Sequence, residues 1–272
     1  METYTTNIRI RFGLRVNVSD ELKERISRLR FSPLFLNILK QCSLLETSGS
    51  QIILENNIIN QSYKTMKKKK LLNRILQNTA CPTGFWGRII LRGMNRFHAP
   101  LSEWAMGMVE WEPAWTVLDI GCGGGANVTR LLKLCHKGTV HGIDISKESV
   151  AFASKHNRRW INTRCFIKQG NVCCLPYDDG QFEAVTAFET VYFWQDVPAA
   201  LNEVKRVLCS GGIFLICCEA SNPDNNVWTS RIENMRVYTP SELKAYLQDF
   251  GFTDISVYQR PKEDLCIIAH KK

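Results

Sequence analysis

The stretch VLDIGCGGGAN, Val117–Asn127, has four glycines among the five residues that begin at Gly121. The four residues before Gly121 are mostly apolar, which is typical of a buried strand. Glycines permit a sharp turn and a close approach of the backbone to a ligand, and a following helix N-terminus offers free N–H groups. The stretch therefore predicts a strand, a ligand-binding turn and a helix that begins near Ala126.

Strand-like and helix-like segments alternate on the carboxyl side of this turn. Continuous apolar strands joined through helices are typical of a doubly wound α/β fold, in which helices cover both faces of a parallel sheet. The short link between the last two strands favours an antiparallel final pair. The predicted strands are Thr116–Ile120, Thr139–Ile143, Cys165–Ile167, Ala184–Phe188, Ile213–Cys218, Phe252–Tyr258 and Leu265–His270.

The chain before Trp115 has a different texture. Residues 1–65 contain no glycine motif, and we expect them to be an extension with little part in the chemistry. Residues 66–112 carry apolar and aromatic side chains at helical spacing, among them Trp86 and Phe97, and predict a helical segment in front of a domain over residues 113–272. After a break at Pro100, Ser102 is expected to cap a second helix.

The net charge of +9 is concentrated in one short stretch. Residues 64–104 contain nine basic residues and one acidic residue, and the remainder of the chain is nearly neutral. A stretch of this kind either binds an anionic partner such as RNA or forms a solvated helix face. An RNA-binding function of residues 64–96 is therefore an alternative that we keep, although we do not favour it.

The eleven cysteines indicate the compartment. Their number is odd and their spacing does not suggest a disulfide framework, which favours reduced thiols in a cytoplasmic protein. No apolar run approaches the ~20 residues that span a bilayer. The pairs Cys173–Cys174 and Cys217–Cys218 lack the spacing of zinc ligands, so no metal site is predicted.

Two ligands are compatible with the glycine turn itself. Gly121, Gly123 and Ala126 match the spacing of a dinucleotide-binding turn, and Asp144 follows about 20 residues later, as a ribose-binding carboxylate does. Asp119, however, stands where dinucleotide-binding strands usually have an apolar residue, and a carboxylate there suits a cationic amino group. An NAD(P)-dependent oxidoreductase is therefore the less favoured alternative.

Four ordered motifs over residues 115–270 resemble the class I S-adenosylmethionine-dependent methyltransferases. The similarity is to the small-molecule group that includes ubiquinone and menaquinone methyltransferases. The motifs read DIGCGGG at 119–125, VHGID at 140–144, GNVCCLP at 170–176 and RVLCSGG at 206–212. The resemblance implies a Rossmann-like sheet of seven strands with the last strand antiparallel, and a helical lid over residues 66–112. If the lid covers the cofactor site, Trp86, Phe97, His98 and Trp104 are expected to line or border the acceptor pocket.

The resemblance also implies S-adenosylmethionine as the cofactor and assigns residues to it. The glycine segment wraps the methionine part, Asp144 binds the ribose, and Asn171 contacts the adenine at a position where the family usually has Asp. Cys122 also fits a simpler role as a small filler of the turn. The implied cofactor-binding residues are Asp119, Gly121, Cys122, Gly123, Gly125, Asn127, Asp144, Ile145, Asn171, Val172, Phe188 and Glu189.

The expected methyl acceptor is a small molecule, whose identity the resemblance leaves open, as it does the oligomeric state. A base is needed only if the acceptor must lose a proton. The candidate catalytic residues are Glu189, His98 and Tyr192, and Trp194 is a candidate for an aromatic acceptor wall. The Asn/Asp-Pro-Pro-Tyr motif of amino-methylating relatives is absent, because residues 189–192 read ETVY.

The extension and the lid can be tested by truncation. A chain that begins at Met66 should bind S-adenosylhomocysteine as tightly as the full chain, because the cofactor motifs are complete without residues 1–65. A chain that begins near Trp111 should keep the sheet and lose most turnover, because water enters the site. Calorimetry and methyl-transfer assays measure the two effects, and loss of binding in the first chain would make residues 1–65 part of the fold.

Overall fold

The computed structural model describes residues 81–272, without the side chains of Phe85 and Trp86. Expectations for residues 1–65, and for the part of the helical segment before residue 81, lie outside the described residues. The helices are α1 (Gly84–Phe97), α2 (Ala99–Met106), α3 (Ala126–Leu134), α4 (Lys147–His156), α5 (Val197–Val207) and α6 (Pro240–Asp249). The strands are β1 (Thr116–Ile120), β2 (Thr139–Asp144), β3 (Cys165–Gln169), β4 (Phe182–Phe188), β5 (Leu208–Cys218), β6 (Phe252–Arg260) and β7 (Asp264–Lys271).

The seven strands form one sheet in the order β3-β2-β1-β4-β5-β7-β6. The pairs from β3 to β5 are all parallel, whereas β7 is antiparallel to both β5 and β6. The predicted fold class is therefore confirmed. In this order β1 lies between β2 and β4, so the sheet is wound in opposite directions on the two sides of β1, which is where open α/β sheets place their ligands.

Helices cover both faces of the sheet, as the apolar strands require. On one face, Phe182 and Phe214 pack in a cluster with Leu201 of α5 and Leu247 of α6. On the other face, a second cluster contains buried side chains of α2, α3 and α4. Strands β1, β2, β4, β5 and β7 therefore each contribute to both clusters, which explains why β1 and β5 are apolar on both faces.

The start of β5 differs from the prediction. The strand begins at Leu208, five residues before the predicted Ile213. Leu208 pairs with Phe182 and Ile213 pairs with Ala184, so β5 has three more residues than β4 between these pairs. The surplus forms a bulge, in which Gly211 has a φ of +76°. The glycines at 211 and 212 thus lie inside the strand.

The start of α2 also differs from the prediction. Ser102 is not its cap, because the helix begins at Ala99 with Pro100 in its first turn. Proline is tolerated there, since the first N–H groups of a helix have no acceptor within it. The Ser102 N–H already donates to the His98 carbonyl at 2.9 Å, and its side chain is buried.

Two further properties concern the described part of the chain. Its ten cysteines are all free thiols, and six of them are buried. Among its helices, none combines the length and the apolar character that crossing a bilayer demands. The basic side chains of α1, Arg88, Arg92 and Arg96, are exposed along one side of that helix.

One histidine lies within an aromatic cluster of the sheet. The His141 ring centroid lies 5.0 Å from that of Phe166, 5.5 Å from that of Tyr177 and 5.2 Å from that of Phe182. Its Nδ1 has no hydrogen-bond partner among the described residues. Burial, with a smaller contribution from the charge of Lys168, lowers the pKa of His141 from 6.5 to about 4. His141 is therefore neutral in the folded protein at neutral pH.

The fold should accordingly lose stability in acid through His141. Between pH 6.5 and about 4 the unfolded chain binds a proton at this residue and the folded chain does not, so the free energy of unfolding falls as the pH falls through this window. His141→Phe should flatten that part of the pH profile, whereas His136→Phe, at an exposed position, should leave it unchanged. Urea unfolding across this range measures both profiles, and equal slopes in the wild type and His141→Phe would contradict the assignment.

Candidate active site

A cavity of about 1080 Å³ lies at the carboxyl ends of the parallel strands. It is bordered by the glycine turn after β1, by the loops after β2, β3 and β4, and by one side of α1. Two of the twelve residues assigned to the cofactor, Asp119 and Gly125, do not line it. The ten that do are Gly121, Cys122, Gly123, Asn127, Asp144, Ile145, Asn171, Val172, Phe188 and Glu189.

The glycine turn is fastened to the end of β2. The N–H groups of Gly121 and Cys122 donate to the Ile143 carbonyl at 2.8 and 3.0 Å. The Gly123 N–H donates to the Asp144 carboxylate at 2.9 Å. Gly121 and Gly123 have φ values of +67° and +50°, which glycine adopts readily. The turn therefore has a fixed shape beside the end of the neighbouring strand.

The glycines of the turn are needed for different reasons. A Cβ atom on Gly124 would lie 2.5 Å from the Asn95 side-chain oxygen, and one on Gly125 would lie 2.8 Å from the Ala153 Cβ. These two glycines allow close packing of the turn against α1 and α4. A Cβ on Gly123 would meet no protein atom within 3.8 Å, although Gly123 lines the cavity. Its missing side chain therefore leaves space for a ligand.

Asp119 is buried beneath the turn with one oxygen unpaired. Its Oδ1 accepts a hydrogen bond from the Thr186 hydroxyl at 2.8 Å, while Oδ2 has no partner among the described residues. The residue is only 1% exposed. Burial raises the pKa of Asp119 to about 7. Since an unpaired buried carboxylate is costly, the position favours a ligand that supplies a cation or a donor.

Asp144 both shapes the turn and faces the cavity. Its Oδ2 accepts from the Gly123 N–H, and its Oδ1 accepts from the Ser146 N–H at 2.8 Å. Burial raises the pKa of Asp144, and these two hydrogen bonds oppose the rise. A carboxylate with two acceptor sites per oxygen retains capacity for hydroxyl donors of a ligand.

The loop after β3 forms another side of the cavity. Asn171 uses its side-chain oxygen to accept from the Cys173 N–H at 2.9 Å. The same oxygen has a second lone pair that an amino group could use. Val172 is buried beside it, and Ile145 is 53% exposed. These apolar side chains provide a surface suited to a flat ring.

The structure brings together the three candidate catalytic residues. Glu189 follows β4 in a left-handed conformation with a φ of +56°. Its Oε1 accepts from the Tyr192 hydroxyl at 3.4 Å and from the Glu219 N–H at 2.5 Å. The His98 Nε2 lies 3.7 Å from the Glu219 Oε2. The Tyr192 hydroxyl in turn accepts from the Ala220 N–H at 2.9 Å.

Burial and mutual repulsion set the protonation of this group. Burial and the adjacent Glu219 raise the pKa of Glu189 well above its usual value, and burial likewise raises the pKa of Glu219. Burial lowers the pKa of His98, so its imidazole is neutral at neutral pH. Burial raises the pKa of Tyr192, so the phenol keeps its proton. The group therefore contains two carboxyls of raised basicity, one neutral imidazole and one phenol.

The aromatic residues in and near the lid are arranged differently from the prediction. Tyr192 and Trp194 are buried and line the cavity, as expected for an acceptor wall. Phe97, which we expected at the cavity with His98, is 80% exposed, whereas Leu91 of the same helix is buried and lines the cavity. Trp104 is outside the cavity and packs under the Arg260 guanidinium, 4.6 Å from its ring centroid.

The sequence patterns missed two residues of the site. Asn95 of α1 donates to the Gly124 carbonyl at 3.1 Å and lines the cavity. Glu219 follows β5 directly. A carboxylate immediately after an apolar strand is a usable signal, since it places Glu219 at the same sheet edge as Glu189. Asn95 offers no such signal, because its partner is 29 residues away and belongs to another element.

Comparisons with known proteins show similarity to methyltransferases. A family model described as a methyltransferase domain matches residues 118–216. YrhH of Bacillus subtilis, which is named as a methyltransferase, is 32% identical over 159 residues, which are 57% of this chain and 77% of YrhH. Demethylmenaquinone methyltransferase of Lactiplantibacillus plantarum is 36% identical over 110 residues, 40% of this chain and 46% of that protein.

The fold has solved counterparts as well. A SAM-dependent methyltransferase from Aquifex aeolicus superimposes with a TM-score of 0.58 at 20% identity, covering 67% of this chain and 97% of that one. The chain spans between 27% and 46% of the length of several other curated relatives that it matches. Seven strands, a glycine turn above a buried carboxylate and a second carboxylate at the end of β2 define a class I methyltransferase domain. The chain belongs to the S-adenosylmethionine-dependent methyltransferase family.

Asp144→Ala should weaken the binding of S-adenosylhomocysteine by about 1–3 kcal/mol. The variant removes a carboxylate that faces the cavity and also frees the Gly123 N–H from its acceptor. Calorimetry measures the dissociation constant, and Glu112→Ala, an exposed position, serves as the control. Wild-type affinity in Asp144→Ala would mean that Asp144 is not a cofactor ligand.

Proposed function

We propose that the protein moves a methyl group from S-adenosylmethionine to a small-molecule acceptor bound in the same cavity. One observation carries the proposal. A single cavity contains a glycine turn with an open position at Gly123 and, beyond Phe188, the group of Glu189, Tyr192 and His98. Cofactor and acceptor can therefore lie side by side, as direct methyl transfer requires.

The described residues fit this cofactor in three respects. The unpaired Asp119 Oδ2 suits the ammonium group of its methionine part. The open space over Gly123 suits a backbone-like segment passing close to the turn. The Asp144 carboxylate suits the ribose hydroxyls, and Asn171 with Val172 suits the adenine. When bound, the cofactor supplies an electrophilic methyl group on a sulfonium.

The protein's own contribution is to align the acceptor and to exclude water. Helix α1 closes one side of the cavity with Leu91, Met94 and Asn95, and His98 follows directly after the helix. Asn95 ties this helix to the glycine turn through the Gly124 carbonyl. Tyr192 and Trp194 form an aromatic wall on the acceptor side. An ordered wall and a closed side together favour one orientation of the acceptor.

Glu189 is the group we assign to the proton of the acceptor. Burial raises the pKa of Glu189, which makes its carboxylate a stronger base than an exposed one. The Tyr192 hydroxyl and the Glu219 N–H hold its Oε1 in place, so Tyr192 is a positioning residue. His98, neutral and 3.7 Å from Glu219, is suited to pass the proton onward.

The comparisons support a small-molecule acceptor. Demethylmenaquinone methyltransferase and squalene methyltransferase 2 are named for small, largely apolar acceptors. Aromatic side chains around the acceptor end of the cavity are suited to such molecules. For RNA, the described residues offer the exposed arginines of α1, which equally form a solvated face. The cytoplasmic location stays a prediction from the cysteine content.

Ligand binding and turnover test the proposal directly. S-adenosylhomocysteine should bind at one site per chain in equilibrium dialysis, and NADH should not compete. With tritium in the methyl group of S-adenosylmethionine, small-molecule extracts should acquire label only in the presence of the protein. Binding of NADH without binding of S-adenosylhomocysteine would overturn the proposal in favour of an oxidoreductase.

The Asp119 assignment predicts a pH dependence of cofactor binding. Below about pH 7 Asp119 holds a proton in the free protein, and an ammonium ligand favours its ionised form. The affinity for S-adenosylhomocysteine should therefore fall as the pH falls through 7, by up to about tenfold per pH unit, with proton release on binding. Calorimetry in two buffers of different ionisation enthalpy measures the protons. The variant Asp119→Asn should abolish this proton release. An unchanged proton release would exclude Asp119 as its source.

Glu189→Gln should lower turnover by about 10²–10⁴-fold while the affinity for S-adenosylhomocysteine changes little. Glutamine keeps the hydrogen-bond acceptor for the Glu219 N–H but has no basicity. Glu112→Gln, at an exposed position, is the matched control. Methyl-transfer kinetics with the acceptor found in the labelling experiment give the effect, and wild-type kcat/KM in Glu189→Gln would remove Glu189 from the chemistry.

A further inference from the structure

Three potential metal ligands from three separate elements converge at the acceptor end of the cavity. His98 lies between α1 and α2, Glu189 follows β4, and Glu219 follows β5. One imidazole nitrogen and one carboxylate oxygen from each glutamate all lie within 4.8 Å of one another. Such a meeting of side chains from distant parts of the sequence is a feature of the tertiary structure, not of a local charge run.

Neither the Glu189 nor the Glu219 carboxyl group has a lysine or arginine partner within the described residues. Among the ion pairs formed within residues 81–272, none joins a lysine or an arginine to Glu189 or Glu219. Asp264 adds a third negative charge to their surroundings, but Arg260 already pairs with it at 2.6 Å. Buried charges are normally paired with opposite charges or coordinate metals. Both carboxyl groups are partly buried, so a bound cation would supply an opposite charge that no lysine or arginine of residues 81–272 provides.

The hydrogen bonds of the cluster leave ligand atoms free. Both donors to Glu189, the Tyr192 hydroxyl and the Glu219 N–H, reach Oε1, which leaves Oε2 for another partner. They also fix the side chain, as the supporting hydrogen bonds of a metal ligand do. The neutral imidazole of His98 provides a lone pair, and Glu219 Oε2 lies 3.7 Å from its Nε2.

We propose that His98, Glu189 and Glu219 bind a divalent cation of the first transition row at the acceptor end of the cavity. One imidazole and two carboxylates suit Mn²⁺, Fe²⁺, Co²⁺ or Zn²⁺ better than a purely oxygen-bound cation. Metal–ligand bonds of about 2.0–2.2 Å need ligand atoms about 3–4 Å apart, so a separation of 4.8 Å between two ligand atoms has to shorten by about 1–2 Å on binding.

Three protein ligands leave coordination positions open, and His98 and Glu189 border the cavity. The open positions are suited to an ionised oxygen of the acceptor, such as a phenolate, carboxylate or phosphate. Cation binding does not depend on the proposed methyl transfer, because it requires neither the cofactor nor an acceptor.

Metal titration of the full chain tests the site. Mn²⁺ should bind at one ion per chain, seen as loss of the free-ion EPR signal, and Co²⁺ should give visible absorption bands of a site with nitrogen and oxygen ligands. Glu189→Gln, Glu219→Gln and His98→Ala should each weaken the affinity at least about tenfold. Glu112→Gln and His136→Ala, at exposed positions, are the matched controls and should bind as the wild type does.

Binding of S-adenosylhomocysteine by each variant shows that its fold is intact. If His98→Ala does not bind it, His98→Gln takes the place of that variant. Absence of stoichiometric Mn²⁺ and Co²⁺ binding overturns the proposal. The proposal also fails if the site variants bind the cation as tightly as the wild type, or if the control variants lose as much affinity for it as the site variants do. If the wild type binds S-adenosylhomocysteine but no cation, the metal site is rejected and the proposed methyl transfer is retained. If it binds the cation but not S-adenosylhomocysteine, the proposed methyl transfer is rejected and the metal site is retained.

Discussion

The hydrogen bond from the Gly123 N–H to the Asp144 carboxylate joins the two strands around which the site is built. It connects the turn after β1 to the end of β2, and the Ile143 carbonyl reinforces the connection by accepting from Gly121 and Cys122. The turn can approach β2 this closely only because its residues have no bulky side chains and adopt positive φ values. Asp119 lies beneath this turn within β1, paired with β2 and β4, and Asn127 lies in the first turn of α3.

The central strands β1, β4 and β5 were predictable because they are buried on both faces. An apolar run such as that of β1 is recognisable without knowledge of its neighbours, and its predicted bounds are those of the structure. The start of β5 was not predictable in this way. Leu208–Gly212 is extended only because β4 lies beside it and the bulge absorbs three surplus residues. Such pairing is a property of two strands together, so no single segment contains the signal.

The residues of the site likewise fall into those that a single segment of sequence predicts and those that depend on contacts between elements. Asp119 and Asp144 were accessible because each occupies a fixed distance from the glycines within one βαβ unit. Glu219 depends on β5 lying next to β4, and Asn95 depends on the packing of α1 against the turn. Phe97 was misplaced because helical spacing shows which residues share a side of α1, but not which side faces the cavity. Contacts between elements thus mark the limit of what the sequence patterns contain.

Three carboxyl groups at or beneath the cavity impose an electrostatic cost on the folded chain. Asp119 is buried and Glu189 and Glu219 are partly buried, all without a lysine or arginine partner among the described residues, and burial raises the pKa of each. Glu189 also adopts a φ of +56°, which is unfavourable for a side chain with a Cβ. Departures of this kind persist where the surrounding structure enforces them, and they concentrate at functional sites. A cationic ligand at Asp119, and a proton or a metal ion at Glu189 and Glu219, would each recover part of the cost. The folding stability that is lost at these carboxyl groups would then contribute to the affinity for such ligands.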